Sequence, residues 1–156
     1  MTGLSPSIQA REDNRFKKEF AKQKPIIKAV QDHMFPKQSN IPSAHSMQAI
    51  EFLLQTIAHK SYDKDIRTFI LEGARELNRR EKGKFLSMSK EKKEKSLRAY
   101  EETEYGRVWL SRIMTLTMEA LFSDPIYGSN MQEKGWRALD AYGGYPRPKT
   151  RYLEDV

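Results

Sequence analysis

The chain has 156 residues, enough for one domain with a core of its own and too few for two comfortable ones. It contains no cysteine, which excludes disulfides, thiolate nucleophiles, iron–sulfur ligation and the Cys-x-x-Cys-His attachment of c-type haem. The net charge of +7 favours an acidic partner, whether nucleic acid, an anionic membrane surface or an acidic protein. No apolar run approaches the roughly 18 to 20 residues that cross a bilayer, and the first residues lack a signal-peptide pattern.

The N-terminal part is predicted to begin with an arm and to continue as helix. Residues 1–12 are polar, so we expect a flexible arm there. From Asp13 onward apolar residues recur near helical spacing. Pro25 interrupts them and is predicted to start a fresh helix as its first residue, which Pro36 then ends. The sequence thus predicts a flexible arm over residues 1–12 and one helical domain over residues 13–156.

Two helices are predicted in the middle of the chain. Ser43 is expected to cap the first of them. Ser61 with Asp63 is expected to start the second, which ends in basic residues before Gly83. The apolar stripe of the first helix consists of Met47, Ile50, Leu53, Leu54 and Ile57.

The next two predicted helices differ strongly in character. Ser87 or Ser89 is expected to cap a highly charged helix over about Lys90–Glu102. The helix over about Glu104–Phe122 is the most apolar of the chain and is apolar around more than half of its circumference. Such a helix is typical of the centre of a bundle.

After Phe122 the chain becomes dense in glycine, proline and aromatic residues. We expect an ordered but irregular tail there, with a helical turn around Trp136–Ala141. No alternating pattern predicts a strand anywhere. The predicted fold is therefore all-α, a single-domain bundle of about five helices with an irregular Gly/Pro/aromatic C-terminal tail.

No catalytic or metal-binding pattern stands out in the sequence. His33, His45 and His59 are too far apart to share one face of a helix, and no His-Glu-x-x-His occurs. Ser87 and Lys90 match Ser-x-x-Lys as letters, but a lysine among exposed charges is not desolvated. We therefore expect no catalytic, cofactor-binding or metal site in this chain.

The most informative segment covers residues 121–146. The Asp124-Pro125 pair is predicted to end the preceding helix, because proline disfavours helical geometry in the residue before it. Tyr127-Gly128 predicts a tight turn in which glycine takes a positive φ, and Asn130 can bond nearby backbone. Trp136 is then expected to fold back onto the bundle. An aromatic tail pinned over a helix end accounts for this pattern, and so does a binding interface.

This arrangement resembles the C-terminal signature of the gluconate 2-dehydrogenase subunit 3 family. In that family a helix ending in Leu-Thr-x-x-x-Phe leads into Ser-Asp-Pro-x-Tyr-Gly-Gly-Asn and then into Gly-Trp. Here residues 116–122 supply the helix end, with four residues in place of three between Thr117 and Phe122. Ser129 departs from the pattern by replacing the second glycine. The resemblance covers about residues 25–146. The residues that match beyond the helix are Asp124, Pro125, Tyr127, Gly128, Asn130, Gly135 and Trp136.

The resemblance implies a non-catalytic small subunit of a membrane-associated, FAD-dependent dehydrogenase of sugars or sugar acids. Its partners would be a large flavoprotein subunit and, in some complexes, a cytochrome c subunit, which would carry the FAD and the haem c. The small subunit would assist maturation, twin-arginine export or stability of the flavoprotein. The implied location is periplasmic, with peripheral membrane association through the complex, and a cytoplasmic location is the alternative.

The partner is expected to bury an apolar patch formed by the tail and the Glu104–Phe122 helix. A second hypothesis stays open beside this one, a basic helical protein that binds nucleic acid or an anionic surface. The charges of residues 90–95 alternate in sign, which disfavours nucleic acid as a partner. The predicted interface residues are Trp109, Asp124, Pro125, Tyr127, Gly128, Asn130, Trp136, Tyr142 and Tyr145.

Overall fold

The computed structural model describes residues 5–151, and these residues form six α-helices and no strand. The predicted all-α fold is confirmed, with six helices in place of about five. None of the helices in this range is long and apolar enough to cross a membrane. The helices are α1 (Pro6–Met34), α2 (Ala49–Ala58), α3 (Lys64–Arg80), α4 (Lys90–Glu101), α5 (Glu104–Phe122) and α6 (Lys134–Ala138).

The starts of α3, α4 and α5 are set by local caps. The Asp63 carboxylate accepts hydrogen bonds from two amides of the first turn of α3, as predicted. Ser89, and not Ser87, caps α4 by accepting from the amide of Lys92. Thr103 caps α5 in the same way. The predicted bounds of α4 and α5 are confirmed. They were predictable because a capping side chain bonds to an amide only three residues further along.

Helix α1 is longer than predicted at both of its proline residues. It begins at Pro6, so residues 6–12 are helical, and residues 1–4 lie outside the described range. Pro6 occupies the first turn of α1, where its missing amide hydrogen costs nothing. The continuous helix crosses the predicted boundary between arm and domain.

The predicted helix start at Pro25 is wrong, because α1 continues through this residue. A proline inside a helix removes one hydrogen bond and costs about 3 kcal/mol. Phe16 and Phe20 before it, and Ile27 and Val30 after it, are all buried in the same core. Each such side chain contributes about 1.5–3 kcal/mol on burial, so the shared apolar face outweighs the cost of the proline.

Helix α2 begins later than predicted. The hydroxyl of Ser43 accepts a hydrogen bond from the amide of Ser46, so it caps a turn and not the helix itself. The chain between Ala44 and Gln48 forms turns, and Gln48 has a left-handed conformation with φ of 52°. That conformation interrupts the helical path, and α2 starts only at Ala49.

Helix α5 is the centre of the bundle, as predicted, and packs against α1, α2, α3, α4 and α6. Trp109 on α5 is 0% exposed and donates a hydrogen bond of 2.9 Å to the carbonyl of Ile70 on α3. Gly73 lies against its ring, where an added Cβ would come within 2.0 Å. Tyr100 of α4 closes this contact by donating to the carbonyl of Gly73.

A second, smaller core lies where the end of α1, the turn before α2 and the end of α5 meet. It positions the C-terminal tail, because the tail continues directly from the α5 end. Its buried residues are Ala44, Met47, Ala49, Ala120 and Leu121, with Phe35, Ile41, Phe52 and Phe122 packed around them.

Candidate functional site

The tail begins with a short turn that stops α5. The Asp124 side chain accepts a hydrogen bond of 3.1 Å from the amide of Ile126, at the start of a 3₁₀ turn over Pro125–Tyr127. Gly128 follows with φ of 90°, a left-handed conformation that favours glycine. This local geometry matches the prediction for the Asp-Pro-x-Tyr-Gly segment and directs the chain back toward the end of α5.

Asn130 ties the returning chain to the end of α5. Its side-chain amide donates to the carbonyl of Ser123 at 2.8 Å, and its side-chain oxygen accepts from the amide of Gly135 at 2.8 Å. Its own backbone amide donates to the carbonyl of Ala120 at 3.0 Å. Asn130 is 0% exposed and left-handed, a conformation that asparagine tolerates better than most residues. The residue therefore joins three points of the backbone in the protein interior.

Trp136 completes the cover of the helix end. Its indole Nε1 donates to the carbonyl of Phe122 at 2.6 Å. Together with Asn130 it satisfies carbonyls at the α5 terminus, which lack partners within the helix. Gly135 permits this approach, since an added Cβ would lie 1.9 Å from the carbonyl oxygen of Leu121.

Arg147 closes the tail into a loop. Its Nε donates to Asp124 at 2.7 Å, and its terminal nitrogens contact Glu133 at 3.2 Å. Its guanidinium group also lies 4.6 Å above the ring of Trp136, a cation–π contact. Burial alone would raise the pKa of Asp124, but the hydrogen bond from Arg147 and that from the Ile126 amide lower it below its usual value.

Two further contacts fasten the tail to α2 and to the turn before it. The buried hydroxyl of Ser129 donates to the carbonyl of Met47 at 2.8 Å. Arg151 donates to the side-chain oxygen of Gln55 at 2.6 Å. The tail is thus fixed to both the α5 end and the α2 region. We call the set formed by Asp124, Ser129, Asn130, Trp136 and Arg147 the tail clasp.

Several large apolar and aromatic side chains of the tail are exposed. Tyr142 is 80% exposed and Tyr145 is 89% exposed. Before them the amide of Ala141 donates to the carbonyl of Trp136, and after them the Arg147 side chain is bonded to Asp124 and Glu133. Gly143 between the two tyrosines packs against the Trp136 ring, where a Cβ would come within 2.3 Å. Large side chains held outward by an anchored backbone suit contact with another protein. The exposed side chains, which together we call the tail surface, are Met131, Leu139, Tyr142 and Tyr145.

The histidines lie apart and each has its own partner. His33 Nε2 lies 2.6 Å from Glu94, His45 Nδ1 lies 3.2 Å from Lys28, and His59 Nδ1 lies 2.6 Å from a neighbouring serine hydroxyl. His59 follows the last residue of α2. Within residues 5–151 no three His, Asp or Glu residues are arranged to hold a metal ion.

A groove of about 410 Å³ between α1, α4 and α5 contains both a histidine and methionines. His33, Met34 and Met114 are among its lining residues, and histidine with methionine is one ligand pair for haem iron. The Nε2 atom of His33 is, however, engaged by the Glu94 carboxylate. As arranged, the groove therefore does not present this histidine nitrogen to a metal.

The family described as gluconate 2-dehydrogenase subunit 3 matches residues 21–144, which include most of the tail clasp. The chain belongs to the gluconate 2-dehydrogenase subunit 3 family. The predicted resemblance is confirmed, and the name of the family describes a subunit of a multi-subunit dehydrogenase. No curated protein and no solved structure matches the chain significantly.

In this member of the subunit 3 family, the nine predicted interface residues fall into three groups. Tyr142 and Tyr145 lie on the tail surface, and their role in partner binding stays a prediction. Trp109 and Asn130 are fully buried and Trp136 nearly so, because they hold the bundle and the tail together and offer little surface. Of the remaining four, Gly128 is exposed, whereas the partly buried ones are Asp124, Pro125 and Tyr127.

Sequence reasoning missed several residues of the tail clasp. In the sequence Ser129 stands out only as a departure from the family pattern. Its hydroxyl donates a hydrogen bond to the carbonyl of Met47, which a glycine could not do. Arg147 gave no signal, since its partners Asp124 and Glu133 lie 23 and 14 residues earlier in the chain. An arginine following an aromatic, proline-bearing segment is the one available hint, because guanidinium groups often stack on rings.

Proposed function

We propose that this chain is a non-catalytic small subunit of an FAD-dependent dehydrogenase of sugars or sugar acids. In this proposal it binds the large flavoprotein subunit and stabilises it during maturation and export. The FAD belongs to that large subunit, and haem c belongs to a cytochrome c subunit where one is present. The complex is proposed to be periplasmic and to associate peripherally with the membrane.

The observation that carries the proposal is the contrast between the tail clasp and the tail surface. The backbone around Tyr142 and Tyr145 is anchored by Trp136 and Arg147, yet both tyrosine rings face solvent. Tyrosine is enriched in protein interfaces because it supplies a large contact area with little conformational freedom to lose. Membership of a family of dehydrogenase subunits supports a dehydrogenase subunit as the partner.

The contact can be tested by co-purification from the native host. The chain carries an affinity tag, and the flavoprotein captured with it is measured by its FAD absorbance and by mass spectrometry. We expect the wild-type chain to retain a flavoprotein. The double variant Tyr142→Ser/Tyr145→Ser should retain at least about tenfold less, because central aromatic residues often contribute about 2 kcal/mol or more to an interface.

A matched control replaces exposed apolar residues away from the tail surface. Ile8 on α1 and Leu86 in the turn before α4 are both a little under half exposed, so Ile8→Ser/Leu86→Ser removes apolar area without touching the tail or α5. This control should retain the flavoprotein like the wild type. Equal retention by the tyrosine variant and the control would contradict the proposed contact, and a tagged chain that captures no flavoprotein would contradict the proposed function.

A further inference from the structure

The connection between α3 and α4 is rich in lysine and arginine. Residues 79–95, which we call the basic turn, contain eight lysine and arginine residues and three glutamates. Their net charge is +5. Residues 15–28 of α1 carry the same net charge, but three of the lysines there form ion pairs with carboxylates: Lys22, Lys24 and Lys28. The basic turn comprises the end of α3, a 3₁₀ turn over Phe85–Ser87 and the first half of α4.

Most of this charge is not compensated by neighbouring side chains. Glu94 is shared between His33 and Arg98, so it is directed toward partners outside the basic turn. Arg79 is paired with Glu76. In contrast, six lysines make no ion pair or side-chain hydrogen bond with any described residue: Lys82, Lys84, Lys90, Lys92, Lys93 and Lys95.

An apolar side chain stands at the tip of the basic turn. Leu86 is 47% exposed, although the preceding Phe85 is fully buried and anchors the turn in the main core. Lys84 lies two residues before Leu86 and Lys90 four residues after it, and both are exposed. The tip therefore offers a leucine bordered by unpaired positive charges on a turn of fixed conformation.

This combination fits an anionic lipid surface better than a protein or a nucleic acid. Lysine is depleted from protein interfaces, where arginine and aromatic residues are enriched. Single-stranded nucleic acid is held by exposed aromatic rings, and the aromatic residue of this turn, Phe85, is buried. Anionic headgroups attract clustered lysines, and a bordering apolar side chain can enter the boundary between headgroups and acyl chains.

We infer that the basic turn docks this chain directly on an anionic bilayer, with the lysines on the lipid headgroups and Leu86 in the interface. The inference does not rest on the proposed function, because the basic turn shares no residue with the tail clasp or the tail surface. It places a membrane contact in this chain itself, in addition to any contact made by partner subunits.

The inference is tested with the purified full chain and vesicles of phosphatidylcholine containing about one-third phosphatidylglycerol. Sedimentation with the vesicles should capture the chain at low salt and release most of it when the salt rises from about 0.1 M to about 1 M. The variant Lys84→Gln/Lys90→Gln/Lys92→Gln/Lys95→Gln should bind at least about 50-fold more weakly, since each lysine near such a surface contributes roughly fivefold. Leu86→Ser should weaken binding about fivefold at unchanged charge.

The matched control carries Lys17→Gln/Lys18→Gln/Lys37→Gln/Lys60→Gln, four exposed lysines outside the basic turn that likewise make no ion pair. It has the same net charge as the test variant and should lose less than about fivefold. Equal losses in the two variants would overturn the inference, and so would tighter binding to single-stranded DNA than to vesicles. The Tyr142→Ser/Tyr145→Ser variant should bind vesicles like the wild type, which separates this contact from the proposed flavoprotein contact.

Discussion

Replacing Asn130 by alanine removes the side chain that joins the tail to the end of α5. The carbonyl of Ser123 and the amide of Gly135 then lose hydrogen bonds of 2.8 Å each. The amide of Gly135 lies in the interior, where water does not replace the lost partner. Each group left unpaired in this way costs about 1–3 kcal/mol.

Backbone strain adds to this loss. Asn130 has φ of 48°, and alanine in the left-handed region costs roughly 1–2 kcal/mol. The observed destabilisation should be smaller than the sum of these costs. The tail can separate from the bundle before the helices unfold, and this local release relieves part of the strain and lets water reach the unpaired groups. We therefore expect the free energy of unfolding to fall by about 3 kcal/mol in Asn130→Ala.

Urea unfolding followed by tryptophan fluorescence and by far-ultraviolet circular dichroism measures this change. Asn130→Gly loses the same two hydrogen bonds without the left-handed strain, so it should be about 1 kcal/mol more stable than Asn130→Ala. Lys134→Ala, an exposed change in the same segment, should match the wild type. An Asn130→Ala protein within about 0.5 kcal/mol of the wild type would refute the role assigned to Asn130.

Two further predictions concern the core and the charge of the tail clasp. Gly73→Ala places a methyl group about 2.0 Å from the Trp109 ring, so calorimetry should find a loss of about 3 kcal/mol, and wild-type stability would contradict the packing. The pKa of Asp124 is below its ordinary value, so its contribution to stability is complete above about pH 4 and is lost as the pH falls further. Unfolding midpoints measured from neutral to acidic pH should therefore fall less for Asp124→Asn than for the wild type, whereas parallel curves would contradict the ion pair with Arg147.

The elements that were predicted well depend on signals close together in the sequence. Asp63, Ser89 and the apolar pattern of residues 104–122 gave the bounds of three helices, since capping and periodicity act over a few residues. The helix boundary predicted at Pro25 is wrong because the free-energy cost of a proline inside a helix is outweighed by the burial of residues on both sides of it. That balance depends on helices that meet α1 only after folding, and no local pattern reports it.

The turn that follows α5 was predicted, and the side-chain bonds within the tail clasp were not. The Asp-Pro-x-Tyr-Gly-x-Asn pattern indicated an ordered turn after α5, and the structure has one. Trp109 was predicted to lie at the partner interface, but it is fully buried. The sequence does not show which neighbouring helix covers an aromatic side chain. The ring is covered by Gly73, and this contact depends on the packing of α3 on α5.

Fixing the chain between Asn130 and Arg147 has a thermodynamic consequence for any protein that meets the exposed tyrosines. A segment that orders only on contact loses backbone entropy at that moment, and this loss subtracts from its affinity. Here the bonds of Ala141 to Trp136 and of Arg147 to Asp124 restrain the chain on both sides of the two rings, so less of this loss should remain at contact. Variants that loosen the loop should accordingly bind more weakly even when both tyrosines are retained.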